Sequence, residues 1–165
     1  MVEVVRAVSP KDLGAVRGLM RVYTAWAASL DPEPEKAPTF QGLDDEITGL
    51  PGVYAPPLGC LLLARSAGQP AGIIALKPHS EACGEIKRLY VDPAFRGQRI
   101  GPLLVEAILS EARKAGYKKL VLDSYHAMTA AHALYRQAGF VECSPLPGYP
   151  KHLLPKLVFM KVELT

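Results

Sequence analysis

The stretch Glu85-Ile86-Lys87-Arg88-Leu89-Tyr90-Val91-Asp92-Pro93-Ala94-Phe95-Arg96-Gly97-Gln98-Arg99-Ile100-Gly101 reads as a strand that turns at Asp92-Pro93 and runs into the start of a long helix. From Ile100 to Ala115 the apolar residues Leu103, Leu104, Ala107, Ile108 and Ala112 recur at helical spacing, and Gly116 stands where a C-cap glycine would. A strand that feeds a helix in this way makes an anion site. The first backbone N–H groups of a helix have no internal partner, and its N-terminus carries about half an elementary positive charge. Gly97 and Gly101 leave room for phosphate oxygens to approach the backbone, and Arg96 and Arg99 can add charge-assisted hydrogen bonds. A tight turn with solvated arginines is the alternative this loop alone leaves open. Neither a Gly-Lys-Ser/Thr ending nor Gly-x-Gly-x-x-Gly is present, which sets aside triphosphatase and dinucleotide loops.

Working outward, Val2 to Val8 alternates weakly and ends at Ser9-Pro10, a first strand followed by a helix start. Lys11 to Leu30 is expected to be helical, with Leu13, Val16, Leu19, Met20, Tyr23, Trp26 and Ala27 as its core stripe. The prolines at 32, 34 and 38 break it, and a second helix is expected over Phe40 to Leu50, with the loop placed to cover a site. Gly59 to Arg65 and Ala71 to Leu76, joined by Ala67-Gly68-Gln69-Pro70, form an antiparallel hairpin. After the central strand and helix come a strand at Lys119–Asp123, a helix at Thr129–Gln137 ending near Gly139, and a last strand at Leu157–Leu164. This order implies an α/β fold with a mixed, mostly antiparallel sheet flanked by helices in one domain, 1–165, with its parallel crossover in the middle third.

Composition is that of a soluble globular chain: 49% hydrophobic and 21% charged residues in 165. A chain of that length buries about 70% of the surface exposed when unfolded, enough for a core without staples. The longest apolar runs fall well short of the roughly 18 residues a membrane span needs, and no secretory leader is visible, so a cytoplasmic location is expected. Three cysteines without paired spacing, Cys60, Cys83 and Cys143, argue against a disulfide framework or a zinc site. A net charge of +3 suits a small anionic ligand, and nothing suggests nucleic acid or membrane as a partner.

The loop Arg96 to Gly101 resembles the cofactor loop of the GNAT superfamily of N-acetyltransferases, Gln/Arg-x-x-Gly-x-Gly/Ala, with Arg96 and Gly101 at its ends and Arg99 in place of the inner glycine. Leu120-Val121-Leu122-Asp123 and Ala133-Leu134-Tyr135-Arg136-Gln137-Ala138-Gly139-Phe140 resemble the family's next strand and its Leu-Tyr-x-x-x-Gly-Phe helix end. The resemblance implies acetyl-CoA as co-substrate, no metal, and direct transfer to a primary amine of a small molecule. It implies cofactor contacts from Arg96, Gly97, Gln98, Arg99, Ile100 and Gly101, and backbone pairing of Leu89, Tyr90 and Val91 with the pantetheine arm. Tyr135 then stands where a phenol protonates the departing thiolate, although an aromatic on such a helix is otherwise a core residue.

Glu85, eleven residues before Arg96, matches the place of a glutamate that deprotonates the acceptor; an exposed strand-end glutamate is the plain alternative. Strict alternation puts Glu85, Lys87, Leu89 and Val91 on one face and Arg88 on the other, unless a bulge exchanges Lys87 and Arg88. Lys87 is then a candidate for holding an anionic group of an amino-acid-like acceptor, against the alternatives of solvating the strand or meeting cofactor phosphates. The asparagine the family often carries seven residues before the tyrosine is Met128 here, with His126, Thr129 and His132 as possible replacements. The rival classes are a non-catalytic acyl-CoA-binding module and a protein or peptide N-acetyltransferase. The oligomeric state is open, a homodimer being one option.

Overall fold

Helix α1 (Pro10–Ser29) begins where Ser9 caps it: the Ser9 Oγ accepts the Asp12 amide at 3.1 Å, Pro10 takes a position that needs no N–H, and Asp12 faces the positive end. The computed structural model describes residues 1–34 and 42–165. Around α1 lie β1 (Val2–Arg6), α2 (Leu43–Thr48), β2 (Cys60–Ser66), β3 (Gln69–Ser80), β4 (Cys83–Val91), α3 (Ile100–Lys114), β5 (Lys119–Tyr125), α4 (Thr129–Gln137), β6 (Val141–Glu142) and β7 (Leu157–Glu163). The strands form one seven-stranded sheet in the order β1-β2-β3-β4-β5-β7-β6, antiparallel except between β4 and β5. It is the mixed, mostly antiparallel sheet expected, with the two-residue edge strand β6 as an addition too short for any periodicity to announce. Residues 35–41, holding part of the proline-rich segment and the start of the expected second helix, lie outside the described residues.

Two cores use the two faces of the sheet. On one, Leu62, Ala64, Ile74, Leu76, Ile86, Leu120, Leu122 and Met160 pack against Leu104, Val105, Ile108 and Ala112 of α3 and Tyr135 of α4. On the other, Leu61, Leu63, Ile73, Ala75 and Tyr90 meet Val16, Leu19 and Met20 of α1 with Leu43 and Ile47 of α2. Covering both faces is why β2 reads as an unbroken apolar run rather than an alternation. Each fully buried aliphatic side chain here contributes about 1.5–3 kcal/mol of hydrophobic transfer energy. Two expected core residues sit elsewhere: Trp26 is 39% exposed beside Tyr23 and Tyr90, and Leu103 is 38% exposed on the outer flank of α3. Among the described residues no helix is long and apolar enough to cross a membrane.

The feature that shapes the site is a bulge in β4. Lys87 pairs with Ala75 and Tyr90 with Ile73, so Arg88 and Leu89 together oppose the single residue Ile74. Arg88 takes the left-handed conformation, φ 61°, which costs a non-glycine residue roughly 1 kcal/mol. The buried guanidinium is held there by a forked pair with Glu46 of α2, Nε to Oε2 at 3.0 Å and Nη2 to Oε1 at 3.1 Å. The bulge corrects the expected alternation: it does not exchange Lys87 and Arg88 but leaves both on the sheet face of Glu85, Lys87 against Glu85 and Arg88 against Glu46, while Leu89 and Val91 turn to the α3 face. β4 and β5 part just before it. They pair only at Cys83–Lys119, Gly84–Leu120 and Glu85–Val121, although both strands run on, to Val91 and Tyr125.

Replacing Glu46 by Ala should therefore lower stability by about 2 kcal/mol, the range for hydrogen bonds lost by a charged group. The check is a lower urea midpoint at unchanged m-value. An unchanged midpoint would mean that the bulge stands without this pair.

Candidate active site

Where β4 and β5 separate, a cavity of 240 Å³ opens between the layers. Its wall takes Tyr23, Ala27 and Asp31 from α1 and the turn after it, Ile86 to Leu89 from β4, Asp123 to Tyr125 from β5, and Met128, Ala131 and Tyr135 from α4. Pro147 to Pro150 with Leu153, Lys156 and Leu157 close it from the segment before β7. α1 and α4 pack on opposite faces of the sheet, so the cavity wall draws residues from both.

Tyr135 belongs to this wall and to the core. Its ring lies 5.4 Å from that of Phe140, and the residue is 5% exposed. Its hydroxyl makes no hydrogen bond among the described residues and is not a buried orphan, so the cavity is where it is reached. Burial, with smaller contributions from Tyr23 and Asp123, pushes its pKa far above the ordinary phenol value, so the hydroxyl carries its proton at neutral pH.

Glu85 is buried rather than exposed at a strand end, and it stands behind the cavity wall instead of in it. Lys87 Nζ is 3.0 Å from its Oε2, His79 Nδ1 3.5 Å and Lys77 Nζ 4.0 Å from its Oε1. The expected spacing of Glu85 from Lys87 along the strand is thus closed up into an ion pair. Lys87 in turn reaches Asp123 Oδ1 at 3.0 Å, making the chain Glu85–Lys87–Asp123, and Asp123 is the carboxylate that meets the cavity. Burial disfavours the Lys87 charge, but Asp123 and then Glu85 outweigh it and raise its pKa, so Lys87 is a cation throughout the physiological range. Tyr149, from the segment before β7, lies in the same cavity wall and has its pKa raised by burial first and by the Asp123 carboxylate second. Asp123 and Tyr149 were not singled out by sequence reasoning. Asp123 alternates with core residues on its strand, and Tyr149 sits in a segment without period, so neither carried a signal.

The loop before α3 fits a polyphosphate by its backbone. Gly97 (φ 84°) and Arg99 (φ 61°) are both left-handed, so Arg99 adopts the conformation for which the resembling loops use glycine. The first helical bond of α3 is Leu103 N–H to Arg99 O at 3.2 Å, which leaves the amides of Gly97 to Gly101 without backbone acceptors. Gln98 turns back to the sheet, where its Oε1 accepts the Ser66 hydroxyl. Gly101 has a different reason for lacking a side chain than the one its motif suggests: a Cβ there would come within 2.6 Å of Leu134 Cδ1 of α4. Its absence lets α3 and α4 close, which places Tyr135. Leu89, Tyr90 and Val91 present to the gap a strand edge that β5 does not pair.

Of the three residues named as possible replacements for the asparagine, His132 is buried and lies outside the cavity wall, whereas Met128 itself is in it. The His132 Nε2 lies 2.9 Å from Ser124 Oγ, tying α4 to the end of β5. Burial first, then Arg136, with His126 acting the same way and Glu142 opposing, lower the His132 pKa, so the ring is neutral at pH 7. A depressed folded pKa contributes stability above the unfolded value of about 6.5, and that stability is lost as pH falls through the folded pKa. The stability difference between the native chain and His132→Gln should therefore shrink as pH falls from 7 to 5. A difference constant with pH in urea unfolding would show that His132 does not titrate between the two states.

Comparison with known proteins agrees with this geometry. The model of the acetyltransferase (GNAT) family matches residues 19–140. An uncharacterised N-acetyltransferase of Schizosaccharomyces pombe is 38% identical over 129 residues, 77% of either chain. The N-acetylaspartate synthetase of Mus musculus is 34% identical over 110 residues, 63% of this chain but 37% of that longer one. The crystal structure of the PaiA N-acetyltransferase of Thermoplasma acidophilum, in complex with coenzyme A, superimposes with a TM-score of 0.76 over 99% of each chain at 18% identity, a likeness of fold. With the family model spanning both the cofactor-type loop and the helix of Tyr135, this chain belongs to the GNAT family and is an acetyl-CoA-dependent N-acetyltransferase.

Proposed function

We propose that the chain transfers the acetyl group directly from acetyl-CoA to the primary amine of a small molecule, both bound at once, with Tyr135 as the proton donor to the thiolate. The observation that carries this reading is the Tyr135 hydroxyl itself: without a hydrogen bond among the described residues, kept protonated by burial, and set in the wall of a cavity that also holds Lys87, Arg88 and Asp123. The loop Arg96, Gly97, Gln98, Arg99, Ile100 and Gly101 would hold the pyrophosphate with its free amides and two arginines. The unpaired edge at Leu89, Tyr90 and Val91 would pair with the pantetheine amides as an added strand, bringing the thioester into the gap. Acetyl-CoA supplies the activated acyl group; everything else the step needs comes from side chains already placed.

The amine enters from the α1 side and meets Asp123. Glu85, the glutamate at the expected place of the base, acts through Lys87: its charge fixes Lys87, which fixes Asp123, and Asp123 is the carboxylate placed to receive the amine's proton. Glu85 is on this reading a positioning residue. An amino-acid-like acceptor would bring an anionic group to Lys87 and Arg88, the two cations that the bulge turns into the cavity. The N-acetylaspartate synthetase relationship supports an acceptor of that size and kind.

Tyr135→Phe removes only the hydroxyl and should lower turnover by about 10²–10⁴-fold, the range for a positioned general acid, while the dissociation constant for acetyl-CoA stays within about twofold. Thiol release under single-turnover conditions, paired with calorimetry, separates the two. Full turnover in this variant would assign the proton to solvent.

A further inference from the structure

The strained residue of the loop before α3 is held from both sides. Arg99 is left-handed at φ 61°, two residues after Gly97 at φ 84°, and a non-glycine residue keeps that conformation only where its surroundings over-determine it. On one side Ile100 is buried against β3: a Cβ on Gly72 would come within 3.1 Å of Ile100 Cγ2, so the bare Gly72 makes room for the first turn of α3. On the other side Gln98 is an exposed residue whose side chain is nevertheless taken back to the sheet, where its Oε1 accepts the Ser66 hydroxyl. Ser66 ends β2, is 6% exposed, and pairs with Val2 of β1 and Gln69 of β3, so the sheet fixes it. Among the described residues no other side-chain hydrogen bond joins residues 96–101 to the sheet. The amides of Gly97 to Gly101, which have no backbone acceptors, lie around these two anchors.

We infer that Ser66 is a positioning residue for the cofactor: through Gln98 it holds the loop in the shape that receives the pyrophosphate, without touching the cofactor itself. The inference rests on the reading of this loop as the acetyl-CoA site and deepens it. The side-chain carbonyl of Gln98 is taken up by Ser66, so what Gln98 offers a phosphate is its backbone N–H. The gain is preorganisation. A row of free amides converges on an anion only while the backbone keeps one conformation, and a loop that relaxed at Arg99 would have to be returned to the left-handed region on binding, which weakens affinity. Glycine reaches that conformation without a Cβ clash; with Arg99 in its place, the fold supplies a hydrogen bond from a strand end. The effect is confined to the phosphate-bearing half of the cofactor, because the edge at Leu89, Tyr90 and Val91 that would pair with pantetheine belongs to β4, which β2 does not pair with.

The test is calorimetry with CoA and with pantetheine, which lacks the phosphates, on the native chain, Ser66→Ala, Gln98→Ala and the double variant. Each single variant should weaken CoA binding by about fivefold, the effect of one lost hydrogen bond. The double variant should bind CoA no more weakly than either single one, because both remove the same contact. Pantetheine should bind all four chains alike. Gln98 is exposed, so its variant tests the tether even where loss of the buried Ser66 hydroxyl disturbs the fold. Unchanged CoA affinity in Gln98→Ala would overturn the proposal. So would losses that add in the double variant, or an equal loss for pantetheine, since neither fits a tether that acts on the phosphate loop alone. The native chain reports separately on the loop: CoA bound no more tightly than pantetheine would sink both readings, whereas a native preference for CoA that both single variants keep in full would sink the tether alone.

Discussion

Everything distinctive about this molecule depends on one residue held in an unfavourable backbone conformation. Arg88, left-handed in the middle of a strand, inserts the extra residue that bends β4 away from β5. The parallel pairing at Cys83–Glu85 does not continue alongside it, and the gap lies where the two strands are unpaired. The strain of roughly 1 kcal/mol is sustained by its surroundings. Glu46 holds the guanidinium and β3 pairs with the strand on both sides of the bulge. The same turn of the backbone brings two consecutive cations to one face, so the opening and its electrostatics have a common origin.

The cavity wall sets charged residues among apolar ones, and each cation in it has a carboxylate: Lys87 with Glu85 and Asp123, Arg88 with Glu46, Lys156 with Asp31. Buried pairs of this kind contribute little net stability, because removing the ions from water costs about as much as their attraction returns. Their value here is positional. Each pair joins elements distant in sequence, β4 to β5, β4 to α2, and the turn after α1 to the segment before β7, so the walls keep their spacing while the gap stays open. Tyr135 is placed by packing instead, through Phe140 and through the close approach of Leu134 to the bare Gly101.

The order of elements, the loop before α3 and the helix of Tyr135 were legible because each rests on local signals: period, capping residues and glycine. The bulge was legible only as an alternative. Nothing in Lys87-Arg88-Leu89 announces a left-handed arginine, and its consequence, two cations on one face, is opposite to what alternation gives. The cavity wall opposite Tyr135 was illegible for a related reason. Asp31, Asp123, Tyr149 and Lys156 come from four separate segments, each an ordinary polar residue in its own stretch, and only the fold brings them together. Gly101 shows another case, where the motif singles out the residue for phosphate approach and the fold supplies a packing reason for its bare Cα, the close approach of Leu134.

The central claim is that the gap opened by the β4 bulge, together with the loop before α3, receives the cofactor. Backbone amide hydrogen exchange with and without CoA tests it most directly. The account predicts that CoA slows exchange at Leu89–Val91 and at Gly97–Gly101 by at least tenfold and leaves β1, at the far edge of the sheet, unchanged. Saturating CoA that leaves both segments as fast as in the free chain would contradict it.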